Sequence, residues 1–287
     1  AGTNLTANAV SSFTIYNTST PAATVAVTFL KSDGTVGTST PLALTVEGRV
    51  GNFDLTYAGA YMKRRIDSEL DYVDYGYFYD ALAGSGAYFY DNAGDLIHLN
   101  QLIQAEDRFT KQSHELRVTS PADKPIRLVA GAFYQRLTHN IEQNYIVPGL
   151  ADILEVDGTD DDIWLTKQLR VDRDYALFGE VSFDVMPQLT VTAGGRYYKF
   201  DNSLLGFFGY NSLLDDGIGF SQNPDYLCFE PSRVDGAPCT NLDRKTKDSG
   251  FVHRLSVTYK PNEDLLLYAT WSRGFPPGGN NPPGTLP

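Results

Sequence analysis

The sequence predicts an all-β protein, an antiparallel transmembrane β-barrel segment with short periplasmic turns and long extracellular loops. Three observations carry this reading. Segments of about 10 residues alternate apolar and polar side chains, the length that crosses a hydrocarbon layer at a tilt. Tight turns alternate with polar stretches far longer than a compact soluble domain tolerates. Aromatic residues gather at both ends of the apolar faces, as at the two interfaces of a bilayer. Composition agrees, since 13% of the 287 residues are aromatic, mostly Tyr and Phe, and such residues favour strands. No stretch approaches the length of a membrane-spanning helix, which leaves a barrel open because its strands show lipid only at every second position.

The alternation is clearest in two hairpins. In 172–185, Tyr175, Leu177, Gly179, Val181, Phe183 and Val185 share one face, and Asp174, Ala176, Glu180, Ser182 and Asp184 the other, with Phe178 the exception. A turn at Met186-Pro187-Gln188 leads into 189–199, where Leu189, Val191, Ala193, Gly195 and Tyr197 alternate with Thr190, Thr192, Gly194, Arg196 and Tyr198. In 251–260, Phe251, Leu255, Val257 and Tyr259 oppose Arg254, Ser256, Thr258 and Lys260, and Pro261-Asn262-Glu263 turns into a strand over 265–272. Two earlier hairpins join 112–119 to 126–137 through Ser120 to Pro125, and 40–47 to 51–62 through Gly48-Arg49.

Between hairpins run polar segments at 63–111, 140–171 and 201–249, expected as outer loops. On the apolar faces Tyr175, Tyr197 and Phe251 lie at the long-loop ends, and Phe53, Phe183 and Tyr259 at the short-turn ends. Leu177, Gly179, Val181, Val191, Ala193, Leu255 and Val257 fill the band between these girdles. A soluble β-sandwich has the same alternation on its inner faces, and the long loops and end-placed aromatics weigh against it. Residues 1–40 are rich in Thr, Ala and Ser, with strand patterns at 11–16 and 24–30, and stand either as two further barrel strands or as a small separate β element. Residues 41–287 form the barrel portion.

The function classes narrow quickly. A net charge of −12 without clustered Lys or Arg excludes a nucleic-acid partner. His98, His114, His139 and His253 are scattered without ligand spacing, no nucleophile motif occurs, and no cofactor or metal is expected; the chain does not read as an enzyme. The run Asp157 to Asp162 lacks the central Gly and terminal Glu of an EF-hand loop and reads as a solvated acidic loop. Cys228 and Cys239 flank a turn-rich polar stretch and are expected to form a disulfide, the alternative being two inert thiols. No charged segment followed by an apolar one opens the chain, so any signal peptide is expected upstream or removed.

Tyr72, Tyr75, Tyr77, Phe78, Tyr79, Tyr88, Phe89 and Tyr90 concentrate in one outer segment. Either they extend strands above the membrane, or they line a vestibule where flat rings contact a planar ligand. Lumen-facing Glu115, Arg117, Glu180, Arg196 and Arg254 are expected to pair with each other, hold a plug or touch ligand.

Several runs resemble the barrel motifs of TonB-dependent receptors. These are Ser113-His114-Glu115-Leu116-Arg117-Val118-Thr119-Ser120, Val129-Ala130-Gly131-Ala132-Phe133-Tyr134, Tyr175 to Val181, Leu189 to Tyr197, and Leu266 to Phe275 followed by Pro277-Gly278-Gly279-Asn280. Each is weakly specific alone; the five in this order, over 45–281, are strong. The resemblance implies an outer-membrane receptor of a Gram-negative bacterium that imports a scarce solute, an iron-siderophore or similar chelate in the commonest case. Its partners would be outer-membrane lipid, the small chelate, and the TonB energy-coupling complex acting through a plug domain. Neither a plug-like stretch nor an aromatic-ended closing strand is found, so about eight to ten strands of the roughly 22 in plugged transporters are expected here. The competing readings are an extracellular adhesin or filament subunit, and a passive porin.

Overall fold

The computed structural model describes residues 9–17, 20–29, 38–74, 89–98, 100–210 and 227–274, with side chains from Pro41 onward. Ten strands form one antiparallel meander: β1 (Ala9–Asn17), β2 (Thr20–Phe29), β3 (Thr38–Val50), β4 (Phe53–Asp71), β5 (Leu102–Thr119), β6 (Ile126–Ile146), β7 (Asp162–Met186), β8 (Leu189–Gly209), β11 (Leu242–Tyr259) and β12 (Leu267–Ser272). Between β8 and β11 a small hairpin, β9 (Glu230–Pro231) with β10 (Cys239–Thr240), stands apart from the sheet. Each long strand pairs with its neighbour in sequence, so the sheet is one continuous wall and not two packed layers. β1 and β2 belong to that wall: β2 pairs with β3 from Ala23↔Gly48 to Phe29↔Leu42.

The tight turns are local chemistry. Between β3 and β4, Val50 faces Phe53 across Gly51-Asn52, and Gly51 takes φ 60°, which glycine adopts without steric penalty. Gly48 and Arg49, expected to form this turn, are strand residues opposite Leu55 and Asp54. Ser120 closes the β5–β6 turn twice, its N–H donating to the Leu128 carbonyl and its Oγ accepting the Leu128 N–H at 2.7 Å. The Asn262 side chain accepts the N–H groups of Asp264 and Leu265 at 3.1 and 2.9 Å, shaping the β11–β12 turn.

The larger departure from the sequence reading lies at the opposite end. Six stretches expected as loop are strand: 63–71, 102–111, 140–146, 162–171, 201–209 and 242–249. β7 has 25 residues; at about 3.3 Å each and a tilt near 40° it rises roughly 60 Å, about twice a hydrocarbon layer. Above the membrane both faces of a strand are wet, so the apolar-polar alternation fades while the backbone ladder continues. Ion pairs knit this upper wall: Lys167 with Glu142, Lys247 with Asp201 at 2.9 Å, and Arg65 with Glu106 at 3.2 Å.

Buried apolar clusters lie at the long-loop end. Phe89, Val147, Leu150, Ala151 and Leu154 form one; Val156, Leu165, Phe207 and Cys239 a second; Leu204, Phe208 and Leu242 a third. The connections are therefore packed caps.

Candidate functional site: the inner wall and the outer cap

Along the lower half of the sheet the outward face is apolar and exposed, with Leu177 64%, Val181 42%, Leu255 42% and Val257 38% accessible. A soluble domain would bury such a continuous surface. Aromatics bound it: Tyr175, Tyr197 and Phe251 above, Phe53, Phe183 and Tyr259 below, all exposed. Leu116, Leu128 and Ile126 extend the band onto β5 and β6.

The inward face is polar and largely self-paired. Arg127 donates two bonds to Asp184, at 2.5 and 2.6 Å, and the Thr190 hydroxyl donates to the same carboxylate at 2.7 Å. The Ser182 and Thr192 hydroxyls meet at 2.9 Å, as do those of Ser256 and Thr270. Glu115 pairs with Arg117 at 3.4 Å, Glu180 lies 3.9 Å from Arg254, and Arg196 sits 5.3 Å over the Phe133 ring. Phe178, the apolar exception, lies over Gly131 directly across, where a Cβ would collide with its ring. Higher up, Phe133, Asp174, Arg196, Tyr198 and Phe200 line a recess of about 320 Å³.

Of the residues singled out as ligand contacts, Tyr72, Phe89 and Tyr90 are described, at the long-loop end of the wall. Tyr75, Tyr77, Phe78, Tyr79 and Tyr88 lie outside the described residues. Tyr72 follows β4, donates its N–H to the Gln101 carbonyl at 2.8 Å, and meets Tyr145 edge-on at 5.6 Å. Phe89 is 3% exposed inside the loop core, and Tyr90 packs beside it while its carbonyl accepts the Ala151 N–H. Those two rings hold the 89–98 segment to the 147–154 loop. Cys228 and Cys239 are bonded, with Cα atoms 5.8 Å apart, and Cys239 is buried against Val156, Leu165 and Phe207.

The acidic run is not simply solvated. Carboxylate oxygens of Glu155, Asp160 and Asp161 come within 4.8 Å of one another. Asp161, at φ 64°, accepts the N–H groups of Gly149 and Leu150 at 2.9 and 3.0 Å, and Glu155 accepts that of Asp161 at 2.9 Å. These bonds hold the Glu155 and Asp161 carboxylates in place, and no metal is assigned. Asp162, 5% exposed at the outer tip of β7, has its pKa pushed up to about 7, first by burial and then by the charges of Glu142, Glu155, Asp161 and Asp160.

Sequence reasoning missed two outward histidines. His114 accepts or donates a 2.7 Å bond with the Tyr57 hydroxyl, and His253 packs 4.4 Å from Trp271. Strand period alone places both beside Leu116 and Phe251 on the apolar face; their polarity hid them.

An exposed apolar band between aromatic girdles, a polar inner wall, short turns below and packed loops above define the wall of a transmembrane β-barrel. The chain belongs to the family described as TonB dependent receptor-like, beta-barrel, whose profile matches residues 2–285. That family consists of transport receptors of Gram-negative outer membranes, not enzymes. The fold is similar to the ferric yersiniabactin uptake receptor FyuA from Yersinia pestis, with TM-score 0.54 and 11% identity over 86% of this chain and 33% of that one. The siderophore receptor PiuA from Acinetobacter baumannii gives 0.39 at 12% identity, over 87% of this chain and 44% of that one. The ferric-catecholate import receptor Fiu from E. coli K12 gives 0.37 at 12%, over 87% and 45%. The chain thus spans a third to under half of these receptors.

Proposed function

We propose that the protein is the barrel portion of an outer-membrane receptor that imports an iron chelate by TonB-coupled active transport. The observation that carries it is the combination, in one family member, of a lipid-facing band and a polar inner wall, a surface suited to a moving polar plug or solute. The name of the structural neighbour FyuA, a ferric yersiniabactin uptake receptor, supports a chelate as cargo. Residues 9–17 and 20–29 are assigned to the same barrel sector because their backbone continues its ladder. Contact with the chelate is assigned to the aromatic segment Tyr72, Tyr75, Tyr77, Phe78, Tyr79 and Tyr88, with Phe89 and Tyr90 anchoring it. Flat rings supply affinity to a planar ligand by burial and stacking.

Ferric chelates titrated into the full-length receptor should quench its intrinsic fluorescence at submicromolar concentration. No quenching by any ferric chelate, with ion conductance in planar bilayers, would indicate a passive pore; extraction without detergent would indicate a soluble adhesin.

A further inference from the structure

Arg136 on β6 and Arg173 on β7 are direct cross-strand partners. Both share the outward face with Tyr134 and Tyr175, two residues nearer the membrane, whose rings lie 5.1 Å apart. Lys199, on the same face of β8, stands opposite Tyr175. Like charges placed directly opposite are destabilising. Among the described residues none of the three has a carboxylate within 4 Å, whereas outward Lys167, Lys247 and Arg65 are paired with Glu142, Asp201 and Glu106. Asp201 faces Arg173 in register, but its Oδ2 is held by Lys247 at 2.9 Å. In a chain of net charge −12, three cations with no carboxylate within 4 Å stand together in one place.

That place is the upper edge of the apolar band. Two residues at about 3.3 Å, tilted near 40°, put the guanidinium groups roughly 5 Å above the tyrosine girdle, at headgroup depth. Below them Leu177 and Leu116 are 64% and 46% exposed, a surface for acyl chains. Guanidinium groups take phosphate in paired hydrogen bonds, and a phosphate anion bridging two of them offsets their mutual repulsion.

We infer that Arg136, Arg173 and Lys199 bind the phosphate of an anionic lipid in the leaflet on the long-loop side, with its acyl chains lying over Leu177 and Leu116. The site is separate from ligand import, so its test needs no chelate. The full-length receptor is mixed in detergent with phosphatidylglycerol or phosphatidylcholine and retained lipid is counted by native mass spectrometry. Phosphatidylglycerol should be retained, and R136Q/R173Q should reduce its retention at least tenfold, while R65Q, which removes a cation whose partner Glu106 is still held by Arg108, leaves it unchanged. Thermal unfolding gives a second readout of opposite sign. In uncharged micelles the double variant should melt higher than the parent, because repulsion is relieved, and phosphatidylglycerol should no longer raise its melting temperature. Equal retention by parent and double variant, equal retention of phosphatidylcholine, or full competition by millimolar inorganic phosphate would overturn the assignment of a lipid site.

Discussion

Placing an arginine at Val181 tests the face assignment quantitatively. Val181 is 42% exposed on the outward face, between Leu128 and Ala193 on the adjacent strands. From Tyr175 to Val185 the apolar face of β7 runs ten residues; at about 3.3 Å each and a tilt near 40° that is a height of roughly 25 Å, the apolar band of a barrel. Its midpoint falls between Gly179 and Val181. Val181→Arg should therefore lower stability by about 2 to 4 kcal/mol, whereas Val185→Arg, at the lower rim, should lower it by about 0 to 1 kcal/mol. Equilibrium denaturant titration of the full-length receptor in phosphatidylcholine vesicles, followed by tryptophan emission, measures both. Equal losses, or a larger loss at position 185, would refute this depth and facing.

Replacing Tyr77, Phe78 and Tyr79 together by Ala should weaken chelate binding at least tenfold in fluorescence quenching and leave the barrel folded, because each ring contributes on the order of 1 to 3 kcal/mol by burial. Asp162 has a folded pKa of about 7, raised above its unfolded value near 4, so the cap is most stable when this group is protonated. Stability from this group should fall as pH rises from about 4 through 7, by at most roughly 4 kcal/mol, and Asp162→Asn should flatten that dependence in hydrogen exchange of residues 147–161. Cys228→Ser with Cys239→Ser should hasten proteolysis within 227–241 while the wall stays intact; unchanged cleavage would show that the hairpin is held without the bond.

The membrane-level part of the fold was legible because lipid on one side and polar lumen on the other impose a period of two, as in Tyr175 to Val185 and Leu189 to Tyr197. The upper wall was not, because there both faces are wet. In Arg64, Arg65, Ile66, Asp67, Ser68 and Glu69 no face is apolar, and it is the register with β5, joined by β3 at Arg64 and Arg65, that shows they are strand. The cap was hidden for a different reason. Phe89 and Val147, like Phe208 and Leu242, are separated widely in sequence and pack together only after the strands bring their segments together. Aromatic composition marked the 72–90 segment as unusual, and it could not single out Phe89 as a ring buried in the loop core. The disulfide was readable from two cysteines in one turn-rich loop; the burial of Cys239 against Phe207 was not.

Energised uptake of ferric chelate is the most direct test of the proposed import. Cells expressing the full-length receptor, and otherwise lacking chelate receptors, should accumulate radiolabelled ferric chelate, and a protonophore or loss of the energy-coupling complex should abolish accumulation while surface binding persists. Uptake that continues without energy would contradict coupled import, and absence of both binding and uptake for every ferric chelate would contradict the receptor assignment itself.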